Sequence, residues 1–427
     1  MKSYRLTILA FAALLSAAVR GQLFHPLGLG IETPDLAGDF CPQMHVEGDI
    51  LFVCTKQGLY SKDLSNDNSV WQLVGFEGIP LQNYARSGDD ILALRYNYEY
   101  SFNGNFLLLS HDNGRSYEDI TPELFKDSRI DFFLNLAQHP TAPNTMLVSS
   151  YPVGGIYLTT DFGQTWEKLS PFTPEHIGFH PMNPEIIYEC DGAIHDWETD
   201  LHISYDGGQT WQKKWSCIPN NSGLFRIAFH PTDPNKWIAG GMKYVHTTND
   251  NGLSWESQRL DNFEIDWRYE AYNIDWRYAA YDNENPDIVY MAGGSLGAYM
   301  KLMCSTDGGK TWNRPFQEPI KITPREFVFD MKQYRDKLLI YSQSDVYEIS
   351  KSELIEQTTS INEVKNEGVK SEKYDDAIYD LSARRIGNSQ LSPINAEGVA
   401  SGTRERSGNS QLKKGLYIVN GKKVIVK

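Results

Sequence analysis

The feature that most constrains the fold of this chain is a short motif that recurs five times. Its pattern is Ser/Thr-x-Asp-x-Gly-x-Ser/Thr followed by Trp or Tyr, and the copies begin at Ser110, Thr159, Ser204, Thr248 and Ser305. An aspartate accepts hydrogen bonds from the backbone of a turn, and glycine tolerates a positive φ. The pattern therefore predicts a tight hairpin whose aromatic residue begins the following strand.

The motifs are regularly spaced. Their aspartates are Asp112, Asp161, Asp206, Asp250 and Asp307, and a stretched copy runs from Ser61 through Asp63 to Trp71. The successive intervals are 49, 49, 45, 44 and 57 residues, and the longest contains a nine-residue duplication (265–273 and 274–282), without which it is 48. A period in the mid-forties is typical of one propeller blade. With a degenerate unit at each end, the spacing predicts an all-β, single seven-bladed β-propeller over residues 22–356, with six blades as the alternative.

The motif resembles the Asp-box, or BNR, repeat of sialidases, sortilin-type receptors and two-propeller xyloglucanases. That resemblance implies a structural hairpin between the last two strands of each blade. We accordingly predict that Asp112, Asp161, Asp206, Asp250 and Asp307 are structural and not catalytic. Calcium binding at Asp250 and Asn251 is a weaker alternative.

A second marker precedes the boxes. Its copies are residues 137–143, 178–184 and 228–234, each with a His-Pro pair, and a degenerate form spans 280–286. Prolines on both sides of a polar pair predict a rigid turn between the first two strands of a blade. We interpret His139, His180 and His230 as turn residues in preference to metal ligands, and we predict no cofactor.

The two ends indicate export. Residues 1–21 carry Lys2 and Arg5 before a short apolar run, which is typical of a secretory signal peptide. Near the other end, the run from Lys413 to Lys427 alternates apolar residues around Asn420-Gly421, which predicts a hairpin with a type I′ turn. The segment from Ile378 to Arg385 is the expected partner strand.

Residues 374–427 resemble the C-terminal sorting domain of the type IX secretion system, joined to the propeller by a linker over 357–373. A local duplication, Gly387–Leu391 repeated as Gly408–Leu412, departs from that pattern and lengthens a loop. The resemblance implies that the secretion machinery exports the chain across an outer membrane. The domain is then removed, and the protein is attached to surface polysaccharide or released.

Charge narrows the choice of partners. Residues 22–356 contain 25 Lys and Arg against 47 Asp and Glu, a net charge of −22. Such a body repels nucleic acid and attracts cations and basic proteins. Because the number of cysteines is odd, at least one of the five is unpaired within the chain, and Cys41 and Cys54 are either a cross-strand disulfide or buried free thiols.

The candidate ligand residues lie in connections that the propeller pattern places opposite the boxes and the His-Pro turns. Aromatic rings with carboxylates and guanidinium groups can stack on sugars or form protein hot spots. Alternatively, the tyrosines pack between blades, and only one copy of the duplicated segment reaches a ligand. The candidates are Tyr96, Tyr98, Tyr100, His195, Asp196, Trp197, Glu198, Trp267, Arg268, Trp276 and Arg277.

The sequence favours a binding protein over an enzyme. Residues 23–60 contain no Arg, so the first arginine of a sialidase triad is missing, and the chain has room for only one propeller of the xyloglucanase pair. Glycoside hydrolysis by two converging carboxylates among Asp191, Asp196, Glu198 and Asp266 stays open. We expect a surface-displayed, non-enzymatic propeller that binds a basic protein or peptide, with a neutral glycan as the alternative ligand.

Overall fold

A computed structural model describes seventeen segments of the chain. They are residues 24–30, 42–96, 106–122, 133–151, 155–172, 174, 176–190, 200–216, 226–241, 244–260, 276–293, 301–313, 328–356, 378–379, 385–387, 415–419 and 422–426. The chain divides into two compact units, Met1–Ile361 and Asn362–Lys427.

Seven antiparallel sheets form the first unit, and this confirms the seven-bladed propeller. The described residues begin with a short strand, β1 (His25–Pro26). The first four blades then follow in order along the chain. Blade 1 contains β2 (Met44–Glu47), β3 (Ile50–Thr55), β4 (Gly58–Asp63) and β5 (Gln72–Gly75). Blade 2 contains β6 (Leu81–Ser87), β7 (Asp90–Arg95), β8 (Leu107–Ser110) and β9 (Glu118–Asp119). Blade 3 contains β10 (Phe133–Gln138), β11 (Met146–Tyr151), β12 (Gly155–Thr159) and β13 (Glu167–Ser170). Blade 4 contains β14 (His176–Phe179), β15 (Ile187–Cys190), β16 (Asp200–Ser204) and β17 (Gln212–Ser216).

The remaining three blades include the two irregular ones. Blade 5 contains β18 (Ile227–Phe229), β19 (Trp237–Gly240), β20 (Tyr244–Thr248) and β21 (Glu256–Arg259). In the described residues, blade 6 has three strands, β22 (Tyr278–Tyr281), β23 (Val289–Gly293) and β24 (Lys301–Ser305), and a single bridge joins Cys304 to Asn313. Blade 7 contains β25 (Val328–Tyr334), β26 (Lys337–Ser342) and β27 (Val346–Ser350), followed by a helix over residues 351–356.

The N-terminal strand closes the ring, a feature that the sequence analysis did not identify. β1 pairs with β27 and so supplies the outer strand of blade 7. The Asp345 carboxylate accepts hydrogen bonds from the backbone N–H groups of Gly28 and Leu29, at 3.1 and 3.0 Å. On the inner side of the ring, β2 of blade 1 lies against β25 of blade 7.

The core is divided among the blade junctions. Each of the seven buried apolar clusters joins two neighbouring blades. Strand β7 shows why, because successive side chains of a strand point to opposite faces of the sheet. Ile91 and Ala93 pack towards blade 1, whereas Leu92 and Leu94 pack towards blade 3. Every blade is therefore apolar on both faces and is stable only between two others.

The Asp-box carboxylates are engaged in their own turns. In blade 4, Asp206 accepts hydrogen bonds from the Thr210 N–H and hydroxyl, at 2.8 and 2.6 Å, and from the Ser204 hydroxyl at 2.8 Å. These bonds lower the pKa of Asp206, the Thr210 hydroxyl contributing most. The other four boxes repeat the arrangement at Asp112, Asp161, Asp250 and Asp307.

A second bond ties the segment that follows the third strand of each blade, in chain order from its inner strand, to the 1–2 turn of the same blade. In blade 4 the Gly207 N–H donates to the Glu185 carbonyl at 2.9 Å. The same bond occurs in all seven blades, including the two without a complete box. The other pairs are Leu64 to Asp49, Asn113 to Asp89, Phe162 to Asn144, Asn251 to Asn235, Gly308 to Asp287 and Lys351 to Asp336. Both kinds of turn therefore lie on one face, which we call the box face.

The His-Pro histidines order the 1–2 turns. His180 Nδ1 accepts hydrogen bonds from the Met182 and Asn183 N–H groups, both at 3.1 Å, so its Nε2 carries the proton and donates to the Pro234 carbonyl at 3.0 Å. Burial lowers the pKa of His180, which keeps the ring neutral. His139 and His230 cap their turns in the same way.

One of the alternatives for the cysteines is settled at Cys54. Its side chain is buried in β3 and forms no disulfide. Burial raises the pKa of this thiol far above its usual range, so it is protonated at physiological pH. Cys41 lies outside the described residues.

The second unit contains a four-stranded sheet of β28 (Ile378–Tyr379), β29 (Arg385–Gly387), β30 (Gly415–Val419) and β31 (Lys422–Val426), in the order β29-β28-β30-β31. The pairing of Val419 with Lys422 confirms the C-terminal hairpin, and Tyr379 pairs with Ile418. The turn at Asn420-Gly421 and the loop with the local duplication lie outside the described residues. Within the described part of the chain, no helix is long and apolar enough to cross a membrane.

Candidate functional site

Most of the candidate ligand residues lie outside the described residues. These are Tyr98, Tyr100, His195, Asp196, Trp197, Glu198, Trp267 and Arg268, together with the possible carboxylates Asp191 and Asp266. Tyr96 is described, and its side chain is only 9% exposed, which corresponds to the packing alternative for this tyrosine. Its N–H donates to the Pro80 carbonyl at 2.9 Å.

The second copy of the duplicated segment supplies the inner strand of blade 6, as one of the two copies was expected to do. Trp276, which precedes β22, is 1% exposed and packs in the cluster between blades 5 and 6. A ring buried in this way offers no face for stacking on a ligand, so Trp276 is a packing residue. The first copy, with Trp267 and Arg268, lies outside the described residues.

Arg277 belongs to a group of two arginines and a histidine at the end of the central channel opposite the box face. His176 opens β14, Arg226 precedes β18 and Arg277 precedes β22, and all three are half-buried. The Arg226 guanidinium lies 5.0 Å from the centre of the Tyr278 ring. Burial, followed by the charges of Arg226 and Arg277, lowers the pKa of His176 well below its usual value. The ring of His176 is therefore neutral beside two guanidinium groups.

The other end of the channel opens into a cavity of about 1100 Å³ on the box face. It is lined where the inner strands of blades 1, 2, 3, 6 and 7 run into their 1–2 turns. The lining residues are His45, Val46, Glu47, Ile50, Phe52, Arg86, Gly88, Asp89, Gln138, Ala280, Asn283, Met331, Lys332 and Gln333. None of the Asp-box carboxylates lines it. We call this cavity the channel mouth.

Glu47 and Arg86 form one wall of the channel mouth. The Glu47 carboxylate accepts a hydrogen bond from the Tyr84 hydroxyl at 2.7 Å and lies 3.5 Å from Arg86 Nη1. Arg86 also donates to Asn113 Oδ1 at 2.6 Å, and its guanidinium lies 5.1 Å from the Phe52 ring centre. The side chain of Glu47 is still 41% exposed, so this carboxylate is oriented and reachable from solvent.

A buried carboxylate anchors the adjoining wall, which blade 7 contributes. Asp330 is 1% exposed and accepts hydrogen bonds at 3.0 Å from the Met44 N–H of blade 1 and from Lys332 Nζ. The buried Asp330 carboxylate therefore fixes the position of the Lys332 ammonium group in the channel. His45 Nε2 lies 2.8 Å from Asn83 Oδ1, and burial together with the Lys332 charge lowers the pKa of His45. His45 is neutral at physiological pH.

Two glutamines complete the lining, and their amides join blades. Gln138 Nε2 donates to the carbonyls of Arg86 and Pro143, both at 2.8 Å. Gln333 Nε2 donates to the Tyr281 carbonyl at 2.7 Å, and its Oε1 accepts from the Asn283 N–H at 3.3 Å. These bonds fix the spacing of the inner strands around the channel.

The channel mouth can bind and orient a polar ligand. It offers carboxylates, cationic groups and carboxamides beside the apolar surfaces of Ile50, Phe52 and Met331, a mixture that matches the side chains and backbone of a peptide. In the part of the chain that the structure describes, no group of three His, Cys, Asp or Glu side chains is arranged to hold a metal ion.

Apart from Arg277, sequence reasoning missed the residues of both channel ends. His176 and Arg226 each stand four residues before the histidine of a His-Pro pair, and Gln138 immediately precedes another. Polar residues at the first or last position of an otherwise apolar inner strand are the signal that could have found them. The prediction weighted the long connections instead, because function often lies on loops.

Comparison with known families supports the repeat assignment. The family described as "BNR/Asp-box repeat" matches residues 157–168, which contain the box of blade 3. The family described as "Sortilin, neurotensin receptor 3" matches residues 199–382. No curated protein matches the sequence at a significant level.

Solved structures show the same fold at low sequence identity. The GH74 xyloglucanase from Xanthomonas campestris has a TM-score of 0.53 at 16% identity, over 76% of this chain and 53% of that one. YCF48 bound to D1 peptide has a TM-score of 0.52 at 16% identity, over 77% of this chain and 97% of that one. An ancestral GH74 enzyme has a TM-score of 0.50 at 12% identity, over 77% and 46%. The chain thus spans about half the length of the GH74 enzymes it resembles, and these similarities show that it has the β-propeller fold.

Proposed function

We propose that the protein is a non-enzymatic binding propeller that takes a basic protein or peptide at the channel mouth. The observation that carries this proposal is the cavity of about 1100 Å³, which opens on a strongly acidic face. Its volume is slightly above the ~300–1,000 Å³ usual for ligand pockets, and it accommodates several residues of a peptide.

The charge of the box face favours a basic partner. The thirteen described turns between consecutive strands on this face contain four basic residues, Arg115, Lys236, Lys310 and Arg335, against fourteen acidic ones. The acidic residues are Asp49, Asp67, Asp89, Asp112, Asp161, Glu185, Asp206, Asp233, Asp250, Asp282, Glu284, Asp287, Asp307 and Asp336. Fourteen against four leaves −10, part of the −22 carried by residues 22–356. A concave site surrounded by one sign of charge concentrates partners of the opposite sign.

Within the cavity, Glu47 and Asp89 are the carboxylates that reach solvent, so they are the expected contacts for a Lys or Arg side chain. The carboxamide of Asn283 and the apolar surface of Phe52 and Met331 suit the backbone and side chains on either side. YCF48, which has the same fold, was solved with a peptide bound, and this supports the ligand class by analogy only.

The test is binding of synthetic 12-residue peptides of equal hydrophobicity and opposite charge to the immobilised full chain. We expect the cationic peptide to bind, the anionic one not to bind, and the affinity to fall as salt rises. Replacing Glu47 by Gln preserves the hydrogen bond from Tyr84 and removes the charge, so E47Q should slow association about three- to tenfold. Asp89→Asn should have a similar effect.

The matched control is Glu256→Gln. Glu256 is exposed on the outer strand β21 and lies away from the channel, yet its replacement removes the same charge. Equal binding of all peptides, or equal effects of E47Q and E256Q, would contradict the proposal.

Export by the type IX system and display at the cell surface remain predictions from the C-terminal sequence, and secretion of a chain truncated after residue 373 would test them.

A further inference from the structure

A second cavity, of about 320 Å³, lies between the outer parts of blades 2 and 3 on the box face. Blade 2 contributes Leu109, His111, Glu118, Ile120 and Pro122, and blade 3 contributes Gly163, Gln164 and Trp166 from its Asp box. We call this cavity the blade 2–3 groove. It is separate from the channel mouth and shares no lining residue with it.

The groove has an apolar floor and a polar rim. Leu109 is 5% exposed and belongs to the cluster between the two blades, against which Ile120 and Trp166 pack. Glu118 and Gln164 are exposed at the rim. His111 is 63% exposed, and its Nδ1 lies 2.8 Å from Asp90 Oδ1. The rim therefore combines a carboxylate, a carboxamide and an imidazole around an indole.

The box tryptophans of the repeats differ in whether their N–H group is bound within their own turn. At the box of blade 4, Trp211 Nε1 donates to the Gly208 carbonyl at 3.0 Å, and at that of blade 6 Trp312 Nε1 donates to the Gly309 carbonyl at 2.9 Å. In the described residues, the corresponding N–H groups of Trp166 in blade 3 and Trp255 in blade 5 meet no acceptor. The Trp166 indole is therefore not tied to its own turn.

The equivalent grooves at two other junctions are occupied by the protein itself. Between blades 4 and 5, Tyr205 stands where blade 2 has His111, and its hydroxyl donates to the Asn251 carbonyl at 3.1 Å. Between blades 3 and 4, Phe172 packs edge-on against Trp211, with ring centres 5.9 Å apart.

From these observations we propose that the blade 2–3 groove binds one or two residues of a neutral glycan. Its volume is at the lower end of the ~300–1,000 Å³ of small-molecule sites, which suits one or two sugar rings and no larger ligand. The Trp166 indole supplies the apolar wall for the C–H face of a sugar, and its covered N–H is not used.

The rim supplies the hydrogen bonds. Glu118 accepts them from sugar hydroxyls, whereas the Gln164 carboxamide both donates and accepts. The carboxylate of Glu118 disfavours uronic acids and other anionic sugars, so the site selects a neutral ring. Because the groove lies on the face that carries the channel mouth, a glycan held there is presented beside the proposed peptide site.

The experiment measures binding of cellotetraose, mannotetraose and xylotetraose to the full chain by calorimetry and saturation-transfer NMR, with tetragalacturonic acid as the anionic probe. We expect at least one neutral tetrasaccharide to bind with an affinity that does not change with salt. Glu118→Ala and Gln164→Ala should each weaken binding about tenfold. Trp166→Phe, which retains an apolar ring, should weaken it less.

The matched controls are Glu167→Ala and Gln209→Ala, which change the corresponding exposed positions at the junction of blades 3 and 4. They should leave binding unchanged, as should E47Q at the channel mouth. The proposal is overturned if none of the neutral probes binds, or if tetragalacturonic acid binds as well as they do. It is also overturned if E118A weakens binding no more than E167A. These outcomes leave the peptide proposal untouched, because that one depends on Glu47 and Asp89.

Discussion

A buried ion pair joins the last blade of the ring to the one before it. Lys351, which follows β27, places Nζ 2.9 Å from Asp282 Oδ2, and each side chain is only 6% exposed. Asp282 occupies the position of the histidine in the degenerate His-Pro turn of blade 6. Its Oδ2 also accepts the Tyr290 hydroxyl at 2.9 Å, and its Oδ1 accepts the Glu284 and Asn285 N–H groups at 2.9 Å.

We predict that Lys351→Met destabilises the propeller by about 3 kcal/mol. Removing one partner of a buried pair costs about 3–5 kcal/mol, since the remaining charge is left without its counterion. The lower end applies because Tyr290 and the two backbone amides still hold Asp282, and because methionine fills nearly the same space. The measurement is the free energy of unfolding in urea, followed by tryptophan fluorescence.

Lys337→Met provides the control within the same blade. Lys337 Nζ lies 2.7 Å from Glu348 Oε2, but the two side chains are 34% and 22% exposed. Exposed pairs contribute at most about 1 kcal/mol, so K337M should have a small effect. If K351M costs no more than K337M, the buried pair does not stabilise the junction of blades 6 and 7 and the reasoning fails.

The contribution of this ion pair to the free energy of unfolding depends on pH. Burial raises the pKa of Asp282, but the hydrogen bonds from Asn285, Lys351, Glu284 and Tyr290 outweigh it and hold the pKa below the usual 3.8. A carboxyl with a depressed folded-state pKa stabilises the fold above its unfolded pKa and loses that contribution as the pH falls through the folded value. The difference in stability between the wild type and K351M should therefore be constant above about pH 5 and shrink as the pH falls below about 4.

Three further predictions concern the turns and the core. Asp206→Ala removes three hydrogen bonds from one box and should lower the free energy of unfolding by about 1–3 kcal/mol, a loss measurable by urea denaturation. Gly252→Ala should cost more than about 2 kcal/mol, because a Cβ there lies 2.5 Å from the Trp237 ring at a φ of +79°. Gly48→Ala, with a φ of +62° and open space, should cost only about 1 kcal/mol, and equal thermal shifts for the two variants would contradict the packing argument. Cys54 should resist thiol reagents in the folded protein and react only in denaturant, because it is buried and protonated.

The boxes allowed the fold to be predicted because they are local. Each hydrogen bond of an Asp box links residues no more than four positions apart. The box of blade 4, for example, lies entirely between Ser204 and Thr210, so its sequence pattern directly reflects its hydrogen bonds. The interval between boxes is set by the length of four strands and their turns, which is why it revealed the period of the blades. The hairpin at the C-terminus followed from the same local chemistry.

The candidate site, in contrast to the fold, could not be predicted from local sequence patterns. Ring closure brings Met44 to Asp330 across 286 positions of sequence, and no local pattern predicts that contact. The sequence suggests that the rings of Tyr96 and Trp276 can contact a ligand, but both side chains are buried, because burial depends on which blade packs against them. Glu47 and Arg86 were not predicted as ligand residues, because nothing in the sequence around them indicates that the inner strands bring them together.

By itself, then, the sequence determined the repeating unit, its period and the face on which its turns lie, because these follow from bonds within a few residues, whereas the seven sheets of the structure decided between seven blades and six. It also determined the acidic charge that favours a basic partner. Only the tertiary structure decided that β1 closes blade 7, that Lys351 and Asp282 are buried together, and that the channel mouth opens on the box face. Those features arise where distant segments meet, and their energies depend on neighbours that the linear order does not specify.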